Sequence, residues 1–188
     1  MSQVKITGNA SGTGVLTIAA PNTNTDRTLS LPDNTGDILT TASTTTPKVP
    51  LLVAYKDDAQ QSIANATFTK VTFNAEEIDT EGWFASSTYT PQKAGYYRVT
   101  AQAYCQFLQN QSAFIVVYKN GSQYARIATE SVRNALTDVA LSGSGLVHCN
   151  GSTDYIEIYV WQDYGGSRNL DNGGRAFTWV EIILARAD

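Results

Sequence analysis

The sequence predicts an all-β protein, an extended N-terminal arm followed by a sandwich or barrel of many short strands. Three observations predict it. Apolar and polar residues alternate with a period of two in one segment after another beyond residue 50, as half-buried strands do. Turn chemistry such as Asn120-Gly121 falls between those segments. All 19 aromatic residues (6 Phe, 3 Trp and 10 Tyr) lie at Tyr55 or beyond. No segment carries a convincing helical period. A chain of 188 residues suits one ordinary domain plus an appendage.

The arm comes first. Residues 1–46 hold twelve threonines, five charged side chains and no aromatic residue. Branched β-carbons fit a pleated surface. Short strands are expected at 15–19, 28–31 and 37–41, with turns at 21–26 and 32–36. Such an arm buries too little apolar surface to offset its own chain entropy. Leu29, Leu31, Ile38 and Leu39 are therefore expected to lie against another chain. TTASTTTPKVP (40–50) reads as a linker. The expected domains are 1–46 and 47–188.

The knob follows, strand by strand. In GYYRVTAQAYCQF (95–107), Tyr97, Val99, Ala101, Ala103, Cys105 and Phe107 share one face. Tyr96, Arg98, Thr100, Gln102, Tyr104 and Gln106 share the other. FIVVYKNGSQYARI reads as a hairpin, with strands at 114–119 and 123–127 and a type I′ turn at Asn120-Gly121. In 137–150, Val139, Leu141, Val147 and Cys149 share a face with Gly143 and Gly145, which predicts a bulge or a close backbone approach.

The last two strands, in 154–161 and 177–185, are apolar on both faces. Tyr155, Tyr159 and Trp161 oppose Ile156, Ile158 and Val160, and Phe177, Trp179 and Ile183 oppose Val180, Ile182 and Leu184. A strand in a thick core would look the same. Two such strands favour association, because a monomeric sandwich buries only one face of each sheet. Tyr155, Tyr159, Trp161, Phe177 and Trp179 are the expected interface residues.

These residues carry a resemblance. YTPQKAGYYRVTAQAY, with Pro91, Gly95 and Tyr97, resembles the Pro-x-x-x-Gly-x-Tyr strand of the globular C1q/tumour-necrosis-factor family. FTKVTFNAEEIDTEGWF, FIVVYKNGS, LVHCNGSTDYIEIYVW and FTWVEIILA resemble further family segments in the same order. The family's closing Phe-x-Gly is Phe177-Thr178-Trp179 here. The resemblance covers 49–188 and implies a ten-strand jelly roll that forms a homotrimer. Residues 12–42 resemble segments of tailed-bacteriophage fibre and virion-surface proteins, which run Gly-Thr-x-Thr-φ-x-Ala-Pro, then Thr-Leu-x-Leu-Pro, then Thr-Gly-x-φ-φ-Thr, with φ apolar. That likeness implies a virion-surface location, assembly in the host cytoplasm, and a phage coat or tail protein as the arm's partner.

Other functions find less in the residues. Charged residues are 16% and the net charge is −4 with no basic run, so nucleic acid is not an expected partner. Neither an apolar stretch of about 20 residues nor a secretory h-region occurs in the sequence, so no membrane partner is expected. With Cys105, Cys149 and His148 as the only Cys and His residues, a zinc site is close to excluded, and no cofactor is expected. Both cysteines read as buried and free. Glu76, Glu77, Asp79 and Glu81 read as a solvated acidic loop before a calcium site.

The loop QDYGGSRNLDNGG (162–174) sets Tyr164 beside Arg168, Asn169 and Asp171, a composition suited to a host surface glycan or to a plain turn. Carboxylates are too scattered to nominate an acid/base pair. The expected function is non-enzymatic: a trimeric capsid decoration (cement) or short head-fibre protein, with a receptor-binding tail fibre or fibre tip as the alternative. A 46-residue arm reaches at most about 160 Å, too short for a long shaft.

Overall fold

A computed structural model of the chain describes residues 11, 13, 24–26, 48–107, 111–132 and 137–188. The chain divides into two compact units, Met1–Ser43 and Thr44–Asp188. The arm strands, with Leu29, Leu31, Ile38 and Leu39, lie outside the described residues.

The described part of the second unit is built from strands and one 3-10 turn, Gly174–Ala176. In chain order the strands are β1 (Leu51–Tyr55), β2 (Gln61–Ile63), β3 (Thr69–Lys70), β4 (Ala75–Asp79), β5 (Phe84–Ala85), β6 (Thr88–Tyr89) and β7 (Ala94–Phe107). Then come β8 (Gln111–Lys119), β9 (Ser122–Val132), β10 (Thr137–Asn150), β11 (Ile156–Gln162), β12 (Arg168–Leu170) and β13 (Trp179–Ala187). They form two sheets. The first is seven-stranded in the order β2-β12-β7-β13-β1-β4, with β10 also paired to β7. The second is six-stranded in the order β5-β6-β11-β8-β9, with β3 paired to β11. Neighbouring strands in space are mostly distant in sequence, as in a jelly-roll sandwich.

The core lies between the sheets. The first sheet supplies Leu52, Ala54, Tyr97, Val99, Ala101, Val180 and Ile182, and the second supplies Ile115, Val117, Ile156, Ile158 and Val160. The alternation in β7 and β11 places these residues inward, and each buried aliphatic side chain contributes about 1.5–3 kcal/mol. At the hairpin, Asn120 (φ 55°) and Gly121 (φ 72°) both take the positive φ that a type I′ turn requires. Of the two alternatives at Gly143 and Gly145, the structure takes the close approach. Thr137 to Asn150 pair with Phe107 to Ala94 without a register shift. A Cβ on Gly143 would sit 1.8 Å from the carbonyl oxygen of Ile127, and one on Gly145 would sit 2.9 Å from the Ile127 side chain. The two sheets meet along this seam.

Cys105 and Cys149 are buried and unbridged. Cys105 is level with Val139, whereas Cys149 is level with Gly95 at the other end of the same ladder. Ten residues of strand, about 33 Å, separate the two positions. Burial pushes both thiols up, Cys149 to about 11.

Candidate functional site

The five predicted interface residues do not share a surface. Tyr155, Tyr159 and Trp161 belong to the outside of the six-stranded sheet, because their neighbours Ile156, Ile158 and Val160 point into the core. Trp179 belongs to the outside of the seven-stranded sheet, and Phe177 packs beside it against Tyr104, with ring centroids 4.5 Å apart. Period-two patterning assigns a residue to one side of its own sheet. It is silent on which sheet of a sandwich that strand joins.

The outside of the six-stranded sheet covers itself. Trp161 stacks on Phe114 with centroids 4.8 Å apart and planes 8° from parallel. Tyr159 stacks on Tyr118 at 3.8 Å. Phe68 leans on both Tyr118 and Trp161, and the Arg126 guanidinium lies 3.5 Å from the Phe114 ring centroid, a cation–π contact. Beneath them Val116, on the outward side of β8, is fully buried. Glu157 and Lys70 close the row with an ion pair of 2.7 Å, and Thr88 donates to the same Glu157 oxygen at 3.2 Å. The apolar second face of β11 therefore has cover within its own chain.

The hairpin end of this sheet is held by one carboxylate. Asp154 accepts from Asn120 Nδ2 at 2.7 Å and from the backbone N–H of Asn150 at 2.9 Å, and it pairs with Lys119 at 2.9 Å. These bonds, that from Asn120 first, hold its carboxyl at about 2, well below the usual carboxylate range. Lys119 is correspondingly raised, chiefly by its bond to Asp154.

The outside of the seven-stranded sheet is different. Cross-strand register sets out its rows. Ile78, Val53, Glu181, Thr100 and Ser144 lie across one. Leu51, Ile183, Arg98 and Leu146 lie across the next. Leu146 is 56% exposed, Tyr96 42% and Ile78 39%. Glu181 is half-buried in the middle of this surface. Among the described residues, neither Glu181 nor Arg98 has an ion pair; His148–Asp188 (2.8 Å) and Arg175–Glu77 (2.5 Å) at the borders do. Leu146 escaped the sequence reading, although its parity with His148 marks it as an outward apolar residue.

Of the loop predicted to hold a ligand, Tyr164 turns inward, whereas Asn169 stays exposed and Arg168 and Asp171 are half-buried. Tyr164 is 2% exposed and belongs to the core cluster, so its ring is not a stacking platform. Gln162, also buried, fixes the turn. Its Nε2 donates to the carbonyls of Ile63 (2.9 Å) and Gly166 (3.0 Å), and its Oε1 accepts from the Tyr164 N–H (2.6 Å). Arg168 and Asn169 belong to β12, which pairs with β2. Asn169 donates to Gln60 at 3.2 Å, and Gln60 in turn donates to Asp171. Glycine-rich composition marked a loop, but the buried bonds of Gln162 decided that Tyr164 points inward.

In the acidic segment, Asp79 accepts from the N–H groups of Gly82 (3.0 Å) and Phe84 (2.9 Å), and Glu77 pairs with Arg175. Among the described residues, no cluster of His, Cys, Asp and Glu could hold a metal ion.

No family model and no curated protein matches the sequence. Solved structures match the fold. The globular domain of zebrafish complement 1qA protein is 12% identical, over 75% of this chain and 100% of that one, with a TM-score of 0.51. Murine APRIL is 13% identical, over 73% of this chain and 99% of that one, with a TM-score of 0.54. Eiger TNF from S. frugiperda is 10% identical, over 74% and 95%, with a TM-score of 0.53. At such identities the likeness speaks for the fold: the knob is a C1q/TNF-like jelly roll.

Proposed function

We propose that this chain is a non-enzymatic structural protein whose knob self-associates as a homotrimer through the outside of the seven-stranded sheet. The observation that carries the reading is the contrast in cover. One sheet's outer face lays stacked rings over Val116, and among the described residues only Tyr124 on β9 is a large apolar residue left exposed there. The other buries Val53 but leaves Tyr96, Leu146 and Ile78 exposed. A solvent-facing apolar sheet of this kind calls for a partner. Of the residues expected at the interface, Phe177 and Trp179 stay in it, and Tyr155, Tyr159 and Trp161 move to the self-covered side.

In the same proposal the arm, residues 1–46, anchors the trimer on a bacteriophage coat protein through Leu29, Leu31, Ile38 and Leu39. The resemblance of 12–42 to virion-surface segments supports this. The protein is then a capsid decoration or short head-fibre protein on the virion surface.

Particles lacking the protein test the reading. They should release DNA at a lower temperature yet adsorb to host cells normally. Unchanged release with lost adsorption would replace decoration by a receptor-binding fibre tip that takes a host surface glycan.

A further inference from the structure

We infer that Arg98 and Glu181 form an ion pair between two copies of this chain, which selects the mate and sets its register. The inference rests on the self-association just proposed.

Both residues sit within the exposed apolar surface. Glu181 lies level with Val53 and Thr100, between Trp179 and Ile183 along β13. Arg98 lies level with Ile183 and Leu146, two residues from Tyr96. They are diagonal neighbours on adjacent strands, close enough for long side chains to meet. Nevertheless they form no ion pair in the single chain, while five other pairs do form among the described residues.

Any partner that covers Leu146, Ile183, Trp179 and Ile78 takes both charges out of water. An unpaired charge desolvated in this way opposes docking strongly. Each charge must then meet an opposite one, and a partner that brings an anion to Arg98 and a cation to Glu181 meets both without drawing the two side chains together. A second copy of this chain carries both, already spaced as its own pair is. In a closed ring each contact joins Arg98 of one copy to Glu181 of the next, and every charge is used once.

The test uses the full chain and sedimentation. Arg98→Glu and Glu181→Arg should each weaken self-association about tenfold or more, because each places like charges in contact. The double variant should recover it. Mixing the two single variants, each with its own tag, should partly restore association, because a mixed ring of three has two opposite-charge contacts and one like-charge contact where each variant alone has three like-charge contacts. That result separates a pair between chains from one within a chain, where mixing restores nothing. Circular dichroism reports whether each variant folds. If a reversed charge prevents folding, Arg98→Gln and Glu181→Gln take its place, each weakening association, with mixing restoring one Arg98–Glu181 contact per ring. A wild-type chain that stays monomeric at micromolar concentration overturns the underlying reading. A wild-type oligomer that the folded variants leave unchanged, or whose single variants do not rescue each other, overturns this pair alone.

Discussion

The outer faces of the two sheets start from the same kind of strand and end differently. On the six-stranded sheet, aromatic residues fall level with one another on β8 and β11, so Phe114 meets Trp161 and Tyr118 lies within reach of Tyr159. Their stacking, with Phe68 and Arg126 alongside, buries Val116 without help from another chain. On the seven-stranded sheet, Tyr96 meets His148, Arg98 meets Leu146, and Thr100 meets Ser144. The rows there mix charged, polar and apolar groups, and Leu146 stays 56% exposed beside Arg98. An apolar outer face is thus a partner site only where cross-strand neighbours fail to cover it.

The seam shared by both faces should give the largest effect. Gly143→Val places side-chain atoms into the Ile127 carbonyl, and backbone at that distance cannot yield cheaply. A loss of about 4 kcal/mol or more is expected, read as failed folding or a collapsed denaturation midpoint. A well-folded Gly143→Val variant would mean that the sheets do not meet at Ile127.

Next comes the covered face. Trp161→Ala removes the Phe114 stack and uncovers Val116, and should cost about 2–3 kcal/mol in urea unfolding. The oligomeric state should not change. Dissociation of a folded Trp161→Ala chain would show that this face also contacts a partner.

Acid should loosen the end of β11 that carries this layer. The native carboxyl of Asp154 titrates at about 2, below the unfolded Asp value near 3.9. A depressed native value means that the stability is fully present above pH 4 and is lost as pH falls from about 4 to about 2. Asp154→Asn should remove about 1–2 kcal/mol at pH 7 and flatten the unfolding curve across that window. A variant whose stability falls as steeply with acid as the wild type would point to other carboxylates.

The smallest effect on the fold belongs to the uncovered face. Leu146→Asp adds a charge at a position 56% exposed, and should leave unfolding of the dilute chain within about 0.5 kcal/mol of wild type. The same substitution should abolish self-association in sedimentation. A chain that still associates would place the contact elsewhere on the knob.

Much of this was legible in the residues. The alternation in 95–107 and in 154–161 determined which side chains face the core, since successive side chains of a strand point to opposite sides whatever surrounds it. Asn120-Gly121 determined the hairpin, because only that turn type fits two positive φ values. The order of turn and aromatic motifs carried the jelly-roll resemblance. Tertiary structure alone decided the rest. Whether Cys105 could reach Cys149 depended on register between β7 and β10. Whether Tyr164 met solvent depended on Gln162 anchoring the loop against Ile63 and Gly166. Which apolar face was sealed depended on strand order, which puts β8 beside β11 and β10 beside β7. Periodicity along one strand is a local property of the backbone, whereas cover is a property of neighbours that the chain brings together from as far apart as Leu51 and Ile183.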